Sequence, residues 1–254
     1  MRKLASGRPA PVAFLGAMKQ EVDGLRREMA IEREVAQNGW RLFQGQYGGK
    51  ALLLVQTGPG RQQAEDAFEY LRLHYPLSGV VSLGFGGALQ QGLRVGDLVL
   101  CSVLYRREDV RAESGCNSDR WLLDLAGEGL PGNSVRVGTG VTVPTLVRQR
   151  GERMALRDAF GADVVDMESY WVGVLARTMG IPFLAVRAIS DSVNDSLPPF
   201  DLFFGPEGRW RWREGLGHFL SHPSDLSMLP GVYANSRRAA GSLTGLLKTM
   251  ISRF

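Results

Sequence analysis

Apolar residues follow two alternating rhythms along this chain. Short, nearly unbroken runs at residues 11–15, 50–56, 79–83, 98–104, 135–138 and 182–189 have the length and composition of buried strands. Between them apolar positions recur three or four apart, and this period predicts amphipathic helices. One helix follows the turn Gly16-Ala17-Met18 and carries Glu21, Val22, Leu25 and Met29; a second runs from Gly60 to about His74; a third places Val172, Leu175 and Met179 within residues 170–179. Residues 40–47 alternate apolar with polar and meet residues 50–56 across Gly48-Gly49, which predicts a hairpin. Strands alternating with helices predict an α/β fold of three layers, α/β/α, and the hairpin makes its central sheet mixed rather than wholly parallel. Glycine-rich or polar stretches mark the connections: residues 84–87, residues 139–143 near the end of a strand, and residues 106–120 as a surface loop.

Beyond Pro198-Pro199 the pattern changes. Leu229, Val232, Tyr233, Ser236, Ala239, Ala240, Leu243, Leu246, Leu247, Met250, Ile251 and Phe254 recur at helical spacing. Residues 200–254 are therefore expected to form a helical extension of one domain spanning residues 1–254. Its apolar face calls for a partner, and the sheet, a neighbouring subunit and a lipid surface all fit. The cluster Arg209-Trp210-Arg211-Trp212-Arg213 suits either an ordinary helix start with two rings packed inward or a patch on a membrane surface.

Composition narrows the function. The 254 residues are 44% hydrophobic and 22% charged, enough for one large domain with a substantial core. A formal net charge of +4 spread over interleaved acids and bases gives no cationic block, so nucleic acid is not an expected partner. Cys101, Cys116 and three scattered histidines match no metal-ligand spacing, and no metal is expected. Neither a signal peptide nor a run of 18 apolar residues is present, so the expected location is the cytoplasm, with peripheral contact at the inner membrane face left open by the tail.

The candidate chemistry lies in two carboxylates. Val165-Asp166-Met167-Glu168-Ser169 and Arg187-Ala188-Ile189-Ser190-Asp191 each end an apparent strand, and open α/β sheets bind ligands at such ends. Glu21, early in its helix, suits either the helix dipole or a site. Residues 84–87 suit a tight turn or a ligand loop, and Phe85 suits core or pocket.

Taken in order, Gly16-Ala17-Met18 with Glu21, Thr57-Gly58-Pro59-Gly60, residues 84–97 ending Leu93-Arg94-Val95-Gly96-Asp97, Val165-Asp166-Met167-Glu168 and Arg187-Ala188-Ile189-Ser190-Asp191 resemble the purine nucleoside phosphorylase and nucleosidase superfamily. The resemblance is to its methylthioadenosine/S-adenosylhomocysteine nucleosidase branch. Residues 166–169, residues 191–199 and the helical tail look most like the hopanoid-associated members, thought to remove adenine from adenosylhopane.

The resemblance implies a nucleosidase working without cofactor or metal on a small-molecule nucleoside, in an oligomer of identical subunits. It assigns Asp191 to the purine, as proton donor or hydrogen-bond partner of N7, Glu168 to the ribose hydroxyls, and Glu21 to the attacking water. Met167, Phe85, Gly86, Val143 and Ser190 are the implied substrate-binding residues, Met167 against the sugar and Val143 as a wall for the base. Phe85 stands where phosphorylases carry a phosphate-binding hydroxyl, and Val141 replaces an Asp usual near the purine. The first departure argues for water over phosphate, unless the backbone amides and Arg61 suffice. Methylthioadenosine, S-adenosylhomocysteine and futalosine are the alternative substrates; a phosphate-dependent phosphorylase and a non-catalytic nucleoside-binding module are the alternative functions.

Overall fold

In the first strand, β1 (Val12–Gly16), successive side chains point to opposite faces and so divide the molecule into layers. Ala13 and Leu15 join one buried cluster, Val12 and Phe14 another. The computed structural model describes residues 10–108, 115–128, 134–195, 197–198, 221–222 and 226–254. After β1 come α1 (Lys19–Arg26), β2 (Ala30–Gln37), β3 (Trp40–Tyr47), β4 (Lys50–Gln56), α2 (Arg61–His74), β5 (Gly79–Ala88), β6 (Leu98–Arg106) and β7 (Cys116–Asn117). Then follow α3 (Arg120–Gly127), β8 (Val135–Thr142), α4 (Arg150–Phe160), β9 (Val164–Asp166), α5 (Ser169–Thr178), β10 (Phe183–Asp191) and α6 (Leu229–Ser252). Phe68 and Leu71 of α2 and Val172 of α5 cover the Ala13 face, while Leu25 of α1, Leu122 of α3 and Leu243 of α6 cover the Phe14 face. This is the expected mixed sheet between helical layers.

The sheet runs β2-β3-β4-β1-β5, with β2-β3-β4 antiparallel and β1 parallel to both β4 and β5. Past β1, the end of β5 pairs with β9 on one side while β10 continues on the other. Because β10, β6, β8 and β9 also pair in succession, five strands close into a small barrel. Closure depends on glycine: a Cβ on Gly86 would lie 2.4 Å from Cγ2 of Val164. Residues 84–87, expected as a turn or ligand loop, are therefore strand, bent and crossed at close range.

Two further expectations change in the same region. Residues 139–142 continue β8 instead of forming a loop, with Gly140 admitting Leu104 so closely that a Cβ there would sit 2.7 Å from Cδ2. Within the expected surface loop 106–120, Cys116–Asn117 pairs with β6, and residues 109–114 lie outside the described residues. Strand β2, absent from the sequence expectations, forms the edge beside β3.

The C-terminal helix α6 turns its apolar stripe inward. Ala239, Leu243, Leu246, Leu247, Met250 and Ile251 are buried against α1 and the sheet, each large side chain contributing about 1.5–3 kcal/mol. Of the three partners the stripe allowed, the body of the domain takes it, and Tyr233 remains exposed on the outer side. The Arg209–Arg213 cluster and residues 201–220 lie outside the described residues. Among the described residues, no helix is long and apolar enough to cross a membrane.

Candidate active site

The site forms where β1, β5, β9 and β10 end. Gly87 of β5 pairs with Val165 on one side and with Asp191 on the other, so both sequence segments singled out for their carboxylates meet the same strand. β9 is antiparallel to β5 and β10 parallel to it, and barrel closure brings these two segments onto opposite sides of that strand.

Glu21 sits in the first turn of α1, where its Oε2 accepts from the Met18 amide at 2.7 Å and caps the helix. Its Oε1 accepts from the Phe85 amide at 2.8 Å, tying α1 to β5. The side chain is buried, and desolvation raises its pKa, opposed by the two amides and by Arg187. Capping and site roles thus coexist in one carboxylate.

Glu168 follows β9 and accepts from the Gly60 amide at 2.9 Å. Gly60 presents that amide from a left-handed conformation, φ 98°, at the start of α2. Although Glu168 is only half-buried as a residue, its carboxyl lies in desolvated surroundings near other acids, and its pKa is pushed up to about 7 by desolvation first and by Asp166 next. The Gly60 amide and Arg187 act in the opposite direction.

Beneath these acids lies a buried ion pair that sequence reading left without a role. Arg187 Nε donates to Asp166 Oδ2 at 2.6 Å, Nη1 to the carbonyls of Ser82 and Val186, and Nη2 to the Ser82 hydroxyl at 2.9 Å. Asp166 also accepts from Thr142 at 2.6 Å and from the Ser169 hydroxyl. Every oxygen and most donors are satisfied, as burial demands. Glu21, Glu168, Arg187, Thr57, Ser82 and Phe85 line one cleft of roughly 300 Å³ including its mouth.

Asp191 ends β10 outside that lining. Its Oδ1 accepts from the Ser190 hydroxyl at 2.6 Å, and its Oδ2 stands 2.5 Å from Nη2 of Arg153. Burial raises its pKa, with Arg153 and the Ser190 hydroxyl pulling the other way. Gly86 is strand, its carbonyl 3.4 Å from Ser190 Oγ. Met167 is half-buried between the two acids of its segment, and Phe85 is half-buried against the Phe14 cluster while lining the cleft. Val143 is enclosed with Leu89, Val147, Leu156 and Val165.

Arg187 carried a signal in the sequence, a lone charge inside an apolar run. Arg153 carried none, because an arginine in a polar helical stretch reads as solvated. Among the described residues, no three His, Cys, Asp or Glu side chains converge as a metal-binding group.

Comparison with known proteins shows the family and the fold. A family model described as the phosphorylase superfamily matches residues 11–204. The chain is 30% identical over 197 residues to the 5′-methylthioadenosine/S-adenosylhomocysteine nucleosidase of Actinobacillus succinogenes, covering 71% of this chain and 85% of that one. It is 31% identical over 196 residues to the nucleosidase of the same name from Haemophilus influenzae, with the same coverage, 71% and 85%. The structure of the Neisseria meningitidis nucleosidase in complex with methylthio-immucillin-A matches with a TM-score of 0.74 at 22% identity, over 97% of this chain and 100% of that one. Futalosine hydrolase of Helicobacter pylori matches with a TM-score of 0.72 at 19% identity, over 96% and 98%. At those identities the structural matches speak to the fold.

Proposed function

The chain belongs to the phosphorylase superfamily, and within it we propose that the protein is a nucleosidase that hydrolyses the N-ribosidic bond of an adenosine derivative. The observation that carries this reading is the engagement of the cleft's backbone amides. Phosphorolysis needs amides, cations or hydroxyls directed at an anion. Here the Phe85 amide donates to Glu21 and the Gly60 amide to Glu168. Arg61, the other candidate, stacks on Trp171 at 3.7 Å and pairs with Glu65. Two carboxylates occupy the donors a phosphate would use and would repel it, so water is the nucleophile.

The reaction then divides among three acids. Glu21, desolvated and anchored through both oxygens, takes a proton from water as its oxygen bonds to C1′. The C1′–N9 bond breaks, its electron pair passing to the base. Asp191 delivers a proton to N7 of the departing purine, which leaves as neutral adenine. Glu168 in its ionised form accepts from the ribose hydroxyls, and its charge favours the cationic sugar of the transition state.

The resemblance of residues 166–169 and 191–199 to the hopanoid-associated branch supports adenosylhopane as the substrate. The names of the matched relatives favour a second reading, a methylthioadenosine/S-adenosylhomocysteine nucleosidase. Adenine release from adenosylhopane, methylthioadenosine, S-adenosylhomocysteine and futalosine, with and without phosphate, separates them. Adenosylhopane turned over best without phosphate is the expected result. A strict phosphate requirement would overturn hydrolysis, and silence on all four nucleosides would overturn the enzyme assignment.

A further inference from the structure

Among the described residues, Arg153 is the largest fully buried side chain, on α4. Its Nη1 donates to the carbonyls of Ala88 and Ser192, at 3.4 and 3.0 Å, and its Nη2 to that of Val147 at 3.1 Å. It thereby joins the end of β5, the residue after β10 and the segment before α4. Those bonds alone would make it a structural clamp. The remaining contact is of another kind.

Nη2 lies 2.5 Å from Asp191 Oδ2 off the axis of a good hydrogen bond, so charge holds this pair more than a directed bond does. The pair sits over Gly87: a Cβ there would stand 3.0 Å from Asp191 Oδ2 and 3.3 Å from Arg153 Nη1. Oδ2 is thus sealed between the guanidinium and the strand. Oδ1 instead accepts from the hydroxyl of Ser190, a half-buried residue, and is the oxygen that the guanidinium contact leaves free.

We propose that Arg153 is a positioning residue for Asp191: it fixes Oδ2 on the buried side, leaves Oδ1 as the oxygen that exchanges a proton with the purine, and stabilises the carboxylate left when that proton departs. The proposal rests on the reading of Asp191 as the proton donor. Burial makes the carboxyl retain its proton, and a fixed cation against the opposite oxygen makes the same acid strong enough to release it. Among the described residues, Arg153 is the cation that acts on Asp191; the nearby Asp195 is an acid that opposes it, and its carboxylate accepts from the Ser192 amide.

The test compares Arg153→Met, Arg153→Lys and Asp191→Asn, assayed on the best substrate of the four nucleosides above. Without the cation Asp191 becomes a weaker acid. Arg153→Met should therefore lose about 100-fold or more in kcat while the alkaline limb of kcat/KM moves to higher pH. Arg153→Lys keeps the charge, so its limb should stay in place with a smaller loss in kcat. A folded Arg153→Met variant with the parent's kcat and limb overturns the proposal, as does a loss in kcat with an unmoved limb, the mark of a clamp alone. If the methionine variant does not fold, Arg153→Gln, which also removes the charge but keeps hydrogen-bond donors for the carbonyls, decides: an upward shift of the limb supports the proposal and an unmoved limb overturns it. Parent-like activity in Asp191→Asn would instead overturn the proton-donor reading on which the proposal stands.

Discussion

The Phe85 amide donates to Oε1 of Glu21 at 2.8 Å, so the crossed end of β5 is bound to an acid rather than left open for an anion. Glu21→Gln keeps an oxygen for the Phe85 amide but removes the base, and hydrolysis should fall about 100- to 10,000-fold with KM little changed. Added phosphate should leave the parent rate unaltered. Steady-state kinetics of both proteins across a phosphate series checks this, and phosphate activation of the parent would contradict it.

Glu168 ties stability and binding to pH. Its pKa rises from an ordinary 4.5 to about 7 in the fold, so the native state holds a proton that the unfolded chain has lost across that interval. Its contribution to stability is fully present below the unfolded value and is lost as pH rises through the folded value. Thermal melts from pH 4.5 to 8 should show Glu168→Gln gaining on the parent as pH rises. Ribose hydroxyls donate to the ionised form, so substrate binding near pH 7 should release a proton, visible as a buffer-dependent binding enthalpy.

Asp166 and Arg187 form the buried foundation under the cleft. Replacing Arg187 by Met leaves Asp166 charged, buried and short of its main partner, and such a loss costs about 3–5 kcal/mol. Urea denaturation should report a loss of that size. A variant within 1 kcal/mol of the parent would show that Thr142 and Ser169 alone satisfy Asp166, the estimate coming from typical single hydrogen bonds of about 1 kcal/mol.

The elements that were legible in the sequence are those with one buried face or two. β1, β4 and β10 read directly because both faces are covered, and α2 and α5 because one face is. β2 was not legible, since almost all its residues are exposed and no apolar alternation marks it. Residues 84–87 and 139–142 misread because glycine signals a turn locally, whereas here it serves strands that cross too closely for a Cβ. The site divides the same way. Glu21, Glu168 and Asp191 stand beside turn and strand signals that the sequence prints, but each also takes a partner from far along the chain. Arg153 approaches Asp191, and the Gly60 amide approaches Glu168, only after the barrel closes.

The last prediction concerns α6, whose pattern left open whether its apolar stripe meets the domain, a subunit or lipid. Leu247 is buried in the cluster that also holds Phe14, Leu25 and Leu54, on the face covered by α1. Truncation to Ala removes that contact and leaves a cavity, and Leu247→Ala should lose about 2–5 kcal/mol in urea denaturation. Tyr233 lies on the same helix but is 63% exposed, and Tyr233→Ser should change stability by no more than about 0.5 kcal/mol. A helix that served mainly to bind lipid would give the opposite order: Leu247→Ala would weaken liposome flotation while leaving stability untouched. Measuring both variants by denaturation and by flotation therefore distinguishes a stripe that completes the core from one that reaches a membrane.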